Sequence, residues 1–228
     1  LTCPFYDIFE YLIALMAFQT FWYSTKLPQE IIDIIIKDLK KNKTEELFEE
    51  SSLIGGQIDH KKRKSKNTWI PTSHWLGGFL WFYVDKMNQE NFRYDISGID
   101  GDSIQYTQYE VGEFYKWHVD TGFDVLYEAD STRNSAVDET TRKSYFADFL
   151  KLNNEFVRKL SFTVQLSDPD SYEGGEVQLM DDNDGMYTLP KEQGTIVVFD
   201  SRARHRVRKV TKGTRRSLVG WCIGPRWK

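Results

Sequence analysis

The run EFYKWHVDTGFD, residues 113 to 124, sets His118 two places before Asp120 in an aromatic, glycine-flanked stretch. Alone, that spacing is common, and a surface loop whose imidazole caps a turn would account for it. Two later residues change the reading. His205 opens a strand-like run in FDSRARHRVRKV, and Arg215 follows ten residues on, after the turn TKGT. Two imidazoles and one carboxylate on one side of an octahedral ferrous ion leave three adjacent positions open. Two of these suit a chelating 2-oxo acid and the third suits dioxygen. A guanidinium deeper in the site would meet the far carboxylate of that acid with two parallel hydrogen bonds, which Arg does better than Lys. Ser217, two residues along the same face, could add a hydroxyl donor, and Tyr109 a phenol. Both imidazoles must be neutral to bind metal, so iron affinity is expected to fall below pH ~6.

Such residues need strands to hold them. From about residue 94 the periodicity is 2, through IQYTQY (104 to 109), KLSFTVQLS (159 to 167), GEVQLM (175 to 180), MYTL (186 to 189), GTIVVFD (194 to 200), HRVRKV (205 to 210) and RRSLVGWCI (215 to 223). So many short strands read as a sandwich or jelly roll. In LSFTVQL, Leu160, Phe162, Val164 and Leu166 share one face and Ser161, Thr163 and Gln165 the other. In the last run Arg215, Ser217, Val219 and Trp221 alternate with Arg216, Leu218, Gly220 and Cys222. One face can pack while the other lines a polar cavity. Upstream, FWYSTKLP is strand-like, and QEIIDIIIKDLKK places apolar residues 31, 32, 35, 36 and 39 on one helical stripe. A second helix is expected over 74 to 91, weakened in its first turn by Gly77 and Gly78. Helices first and strands later give α+β, mainly β, with the helices packed on one sheet.

The segments QYTQYEVGEFYKWHVD, LSFTVQLSDPDSYEGGEVQL and GTIVVFDSRARHRVRKVTKGTRRSLVGWCIGP together resemble the iron(II)/2-oxoglutarate-dependent dioxygenases, in the prolyl-4-hydroxylase-like branch with the PKHD-type hydroxylases. The resemblance spans about residues 20 to 226. It implies a double-stranded β-helix with N-terminal supporting helices. It implies Fe(II) on His118, Asp120 and His205, 2-oxoglutarate on Arg215, Tyr109 and Ser217, dioxygen as cosubstrate, and ascorbate as a further candidate cofactor. Trp221 matches an aromatic beside the metal, and Tyr115 and Gln165 are expected to line the pocket. The implied reaction hydroxylates a prolyl or other aminoacyl residue of a protein or peptide and releases succinate and CO2. Two departures bear on the substrate. Collagen-type enzymes usually carry Lys where Arg215 stands, and the segment from Thr121 to Phe156 is long. A free amino acid or small metabolite therefore stays open as substrate. A nucleic-acid demethylase is disfavoured, because Ser217 and Trp221 follow Arg215 where that branch has a second arginine. A non-catalytic jelly-roll binding module would have no need of the full set of His118, Asp120, His205 and Arg215.

Composition bounds the rest. The 228 residues are 40% apolar and 15% aromatic, enough for one sizeable core. The formal net charge of −4 argues against a nucleic-acid partner. The two cysteines, Cys3 and Cys222, form no disulfide framework, and a reducing, cytoplasmic setting fits them. YLIALMAF, residues 11 to 18, is too short to span a membrane. Residues 1 to 20 are read as an apolar extension, with Met16 as an alternative beginning that would leave 1 to 15 outside the natural product. A single domain is then expected over 21 to 228, with helical support at 21 to 93 and the β-helix core at 94 to 226. Residues 128 to 143 read as a surface loop, HKKRKSK (60 to 66) as a solvated basic loop, and His60 and His74 as surface or packing residues. Arg202, Arg204, Arg206 and Arg208 are expected to point mostly away from the metal. Gly174 and Gly175 should open a strand at a tight turn, and Asp184 with Gly185 a hairpin. Asp181, Asp182 and Asp184 lack the later Glu of a calcium loop. The aromatics between 79 and 83 are expected in the core.

Overall fold

A computed structural model describes residues 21–53, 57–121, 156–181 and 183–227. The expected extension at 1 to 20, the loop at 128 to 143 and Asp182 lie outside the described residues. The chain runs β1 (Trp22–Lys26), α1 (Gln29–Lys41), β2 (Glu49–Glu50), β3 (Arg63–Lys64), β4 (Lys66–Pro71), α2 (Trp75–Met87), β5 (Gly98–Ile99), β6 (Ser103–Tyr109), β7 (Phe114–His118), β8 (Phe156–Gln165), β9 (Tyr172–Gly174), β10 (Val177–Met180), β11 (Met186–Thr188), β12 (Thr195–Asp200), β13 (Arg204–Val207), β14 (Val210–Gly213) and β15 (Arg215–Pro225). A major sheet has the order β1-β12-β8-β15-β6-β4-β2, with β5 pairing β15, and a minor sheet the order β11-β10-β13-β7-β3. Every pairing is antiparallel, as a jelly roll requires.

The helices cover the outer face of the major sheet. The α1 stripe buries Ile32, Ile35 and Leu39, with Ile31 and Ile36 half-buried, against Leu160, Phe162, Val164, Ile196, Val198 and Leu218. These are the positions that alternation assigns to the packing face. Helix α2 adds Leu76, Leu80, Val84 and Met87 to the same core. Its Gly77 is required by a close approach: a Cβ there would lie 2.1 Å from the Thr72 carbonyl oxygen. His74 packs as expected, its Nδ1 accepting from Leu76 N at the start of α2 and its Nε2 lying 2.9 Å from Asp38 Oδ2 on α1. Phe82 departs from the expected core, with 61% of its surface exposed.

Four expectations need correction. Helix α2 stops at Met87 and continues as a π turn over Asn88–Phe92, because the Asn88 side chain bonds both Tyr94 N and Tyr94 O and turns the chain through Arg93 at φ 56°. The region expected as helical support also carries β1 to β4. HRVRKV is two strands in different sheets: Arg208 N turns to Glu176 O, and Val210 then pairs with Gly174. HKKRKSK is partly strand, with Arg63 buried. The tight turn before β10 holds, with Gly174 and Gly175 at φ 74° and 67°. So does the hairpin turn, with Asp184 at φ 61°.

Candidate metal centre and its cavity

Strands β7 and β13 are neighbours, and their register sets His118 directly opposite His205. A bulge between His205 and Val207 brings Tyr115, three residues before His118, to the same face, where its ring stacks on the His118 imidazole at 3.5 Å. The two imidazole centroids are 4.0 Å apart. Just past β7, Asp120 N donates to Ser201 O at 3.0 Å, which turns the carboxylate back towards both rings. His118 Nε2 lies 3.7 Å from Asp120 Oδ1, and His205 Nε2 lies 3.3 Å from Asp120 Oδ2. One ligand atom from each of the three residues falls within 4.8 Å of the others.

The surroundings fix which nitrogen faces inward. Nδ1 of His118 is 2.7 Å from Lys116 O, and Nδ1 of His205 is 3.0 Å from Ala203 O. A carbonyl can only accept, so each Nδ1 carries the hydrogen, and in the neutral ring Nε2 presents its lone pair to the site. Burial, then the neighbouring His205, pushes the His118 pKa down to about 3. The ring is therefore neutral well below pH 6, and proton competition at His118 sets in lower than the sequence alone suggests. Burial pushes the Asp120 carboxyl up, but His205, His118 and Arg158 outweigh it and hold it below the usual carboxylate range. Ser161 Oγ donates to Asp120 Oδ2 at 2.7 Å and sits 2.9 Å from Ser201 Oγ, which fixes the carboxylate plane.

A cavity of ≈ 270 Å³ opens from this cluster between the sheets. Its far wall is the polar face of β15, with Arg215, Ser217, Val219 and Trp221 all lining it, and Tyr109 beside them. Arg215 is 2% exposed. Its Nη1 donates to Ser217 Oγ at 3.3 Å, and its guanidinium lies 5.7 Å from the Tyr109 ring centroid and within hydrogen-bond reach of Tyr172. No carboxylate pairs with it among the described residues, its Nε has no hydrogen-bond partner, and burial lowers its pKa. A buried cation held only by neutral groups is costly unless an anion joins it. Trp221 Nε1 and Thr163 Oγ1 are further buried polar atoms of the wall without a partner. The donor set, two imidazoles and a carboxylate on an open cavity, fits ferrous iron, and the lone guanidinium fits the distal carboxylate of a 2-oxo diacid.

Eight of the nine residues singled out in the sequence meet at this cavity: His118, Asp120, His205, Arg215, Tyr109, Ser217, Tyr115 and Trp221. Gln165 does not. It is buried opposite Ser217 in the register of β8 and β15, outside the lining. Sequence reasoning missed several wall residues. Arg158 lies 2.6 Å from Asp100 Oδ2, with its guanidinium 4.2 Å from the Trp221 ring. Arg63, 7% exposed, donates to Ser65 Oγ, Ser52 O and Gln105 Oε1. Ser161 did carry a signal, since it shares the polar face of LSFTVQL.

A jelly roll with this cluster at one wall of its cavity defines a non-haem iron oxygenase scaffold. The chain belongs to the 2OG-Fe(II) oxygenase superfamily, whose family model matches residues 104–223, more than half of its length. Among curated proteins, a PKHD-type hydroxylase of Maricaulis maris is 50% identical over 62 residues, covering 27% of this chain and 28% of that protein. One of Rippkaea orientalis is 34% identical over 121 residues, covering 52% of this chain and 41% of that protein. The matches thus span less than half the length of these relatives. Among solved structures, a Pseudomonas putida prolyl-4-hydroxylase superposes with TM-score 0.63 at 15% identity, over 96% of this chain and 100% of that one. A Trichoplax adhaerens prolyl hydroxylase, solved with a hypoxia inducible factor peptide fragment, gives TM-score 0.65 at 14% identity, over 98% and 94%. At such identities the structural likeness speaks for the fold.

Proposed function

We propose that the chain is an iron(II)- and 2-oxoglutarate-dependent hydroxylase of a prolyl or other aminoacyl residue in a protein or peptide, releasing succinate and CO2. The observation that carries this reading is the pairing, in one cavity, of three converging ligand atoms with a buried guanidinium that has no carboxylate of its own. His118, Asp120 and His205 would hold the metal through Nε2, a carboxylate oxygen and Nε2. Bound there, iron(II) with 2-oxoglutarate would couple decarboxylation of the cosubstrate to insertion of one oxygen atom into a substrate C–H bond. Arg215 and Ser217 bind the far carboxylate of the cosubstrate, and Tyr109 supplies a phenol beside it. The Lys116 and Ala203 carbonyls keep both imidazoles in the ligating tautomer. Ser161 orients Asp120, and Trp221, under Arg158, excludes water from the reacting side.

Arg63 favours a second reading. This cation is buried at the cavity wall and hydrogen-bonded to neutral groups, so it would suit a small substrate with its own carboxylate, such as a free amino acid. One pair of measurements tests both. Under anaerobic conditions, iron(II) plus 2-oxoglutarate should give a visible charge-transfer band that Arg215→Ala loses at limiting cosubstrate. Succinate release, with and without ascorbate, should then be stimulated by a peptide library more than by free amino acids. No band with the native chain refutes the oxygenase, whereas stimulation by amino acids alone selects the second reading.

A further inference from the structure

The minor sheet has two faces of opposite kind. Its inner face carries Arg63, Tyr115, His118, Val177, His205 and Val207 into the cavity. In an antiparallel pair directly opposed residues share a face, so the register assigns the other set to the outside: Lys64 with Phe114, Arg206 with Gln178, and Arg204 with Met180. Lys116, exposed on β7, and Arg208 and Lys209, exposed just past β13, join them. No helix covers this face among the described residues. Among the described residues, Lys64, Lys116, Arg204, Arg206 and Lys209 have no carboxylate within ion-pair distance. Arg208 alone has one, Glu176 Oε2 at 3.6 Å.

We propose that the outer face of the minor sheet, centred on Lys64, Lys116, Arg204 and Arg206, docks an acidic polypeptide segment of the hydroxylation substrate. The proposal rests on the reading of a peptidyl substrate above. Among the described residues, six cations meet a single carboxylate on one sheet face of a chain whose formal net charge is −4, so the residues outside the patch sum to a net negative charge. A long polyanion laid across the protein would meet that acidic remainder, whereas a short acidic segment need touch only the patch. From β3 across β7 to β13 the patch is two inter-strand spacings wide, about 10 Å, the reach of three or four extended residues.

The aromatic residues on this face argue the same way. A nucleic-acid platform offers free rings on which bases stack. Here the rings are already covered: the Arg206 guanidinium sits 4.5 Å over the half-buried Trp117, and Lys209 Nζ lies 5.9 Å from the Phe114 centroid. Arg206 is also fixed by its Nε donating to Gln178 Oε1 at 2.8 Å. The aromatics thus act as rests that hold cations in place and lower the entropy lost when those cations meet carboxylates. Strand β3 links the two faces. Its Arg63 points into the cavity and its neighbour Lys64 outward, so a chain leaving the cavity over this edge strand meets the patch directly.

The test uses the full chain and needs no iron. Fluorescence anisotropy is read with a labelled peptide of about a dozen residues, alternating Asp or Glu with Gly and Ser. A Gln and Asn version and a single-stranded oligonucleotide of equal charge serve as comparison probes. The acidic peptide should bind, weaken as salt rises, and lose about tenfold or more in affinity in the Lys64→Glu/Lys116→Glu/Arg204→Glu variant. Its Gln counterpart should lose less, and guards against misfolding of the reversed variant. Equal binding of the neutral peptide, tighter binding of the oligonucleotide, or unchanged affinity in both variants overturns the proposal. Binding is read without turnover, so a failed hydroxylase assay does not touch it. Where turnover is seen, Lys64→Glu alone, on a strand that carries no metal residue, should raise KM for an acidic-flanked peptide more than for its Gln and Asn counterpart.

Discussion

In the major sheet the central strands are buried almost throughout: β12 has six buried residues of six, and β8 seven in succession. In the minor sheet the same count fails, since β7 has no fully buried residue, β13 has only His205, and β11 none. The difference follows from the helices, which cover the outer face of the major sheet and, among the described residues, leave that of the minor sheet uncovered. It also divides the labour. The metal residues stand on or beside the minor sheet, where few apolar contacts depend on them. Arg215 and Ser217 stand on β15, whose other face is core. A strand that serves the cavity on one side and the core on the other must keep both patterns in register, because a one-residue slip exchanges them.

That division can be broken from either side. The largest effect is expected from Asp120→Ala, which removes the residue joining both imidazoles. Iron binding, followed by isothermal calorimetry, and turnover should both be lost, while the apo Tm falls by several degrees without loss of the fold, because a carboxyl held below its usual range by His205, His118 and Arg158 stabilises the folded chain at neutral pH and Ser161 loses its acceptor. Large unfolding would mean that the minor sheet is as dependent on its site as the major sheet is on its core. Arg215→Met should come next: 2-oxoglutarate affinity falls on the order of 100-fold, while the apo protein holds or gains stability, since an uncompensated buried cation is replaced by an apolar chain. Leu218→Ala, three residues along β15 and fully buried among the core residues, reverses that signature. Urea unfolding should show a loss of about 3 kcal/mol, with the charge-transfer band of the folded fraction unchanged.

Alternation explains why so much of the site was legible. Arg215, Ser217, Val219 and Trp221 line the cavity because a strand turns every second residue to one face, and the register of β7 with β13 does the rest. Arg63 was not legible. HKKRKSK reads as solvated because its charges are local, whereas the burial of Arg63 depends on Gln105, 42 residues further on, and on a backbone carbonyl at Ser52. The same holds for the break in HRVRKV, which is set by Glu176 and Gly174 on other strands. Gln165 failed for a further reason. Facing the right side places a residue on the wall of a cavity only as far as the cavity extends, and strand periodicity does not carry that depth.

The smallest and most discriminating effect concerns Asp200, at the end of β12, which separates the frame from the chemistry beside it. Its carboxylate accepts from Arg202 Nη2 at 2.6 Å, Arg202 N at 2.8 Å and Tyr94 OH at 2.7 Å. Burial alone would raise its pKa, but these donors outweigh burial and lower it. Tyr94 remains a donor throughout, because burial and Asp200 push its own pKa up to about 12. A carboxyl depressed in the folded state stabilises the protein above its unfolded pKa of roughly 3.9, and that stabilisation is lost as pH falls through the folded value. Asp200→Asn should therefore be less stable than the parent by about 2 kcal/mol at neutral pH. The gap should stay constant down to about pH 5 and close as pH falls below ~4. Iron affinity at neutral pH should not change. A gap that widens in acid would mean that Asp200 is protonated more readily in the folded chain than in the unfolded one, and the clasp of Arg202 and Tyr94 would then have to be abandoned as a stabilising element of the major sheet.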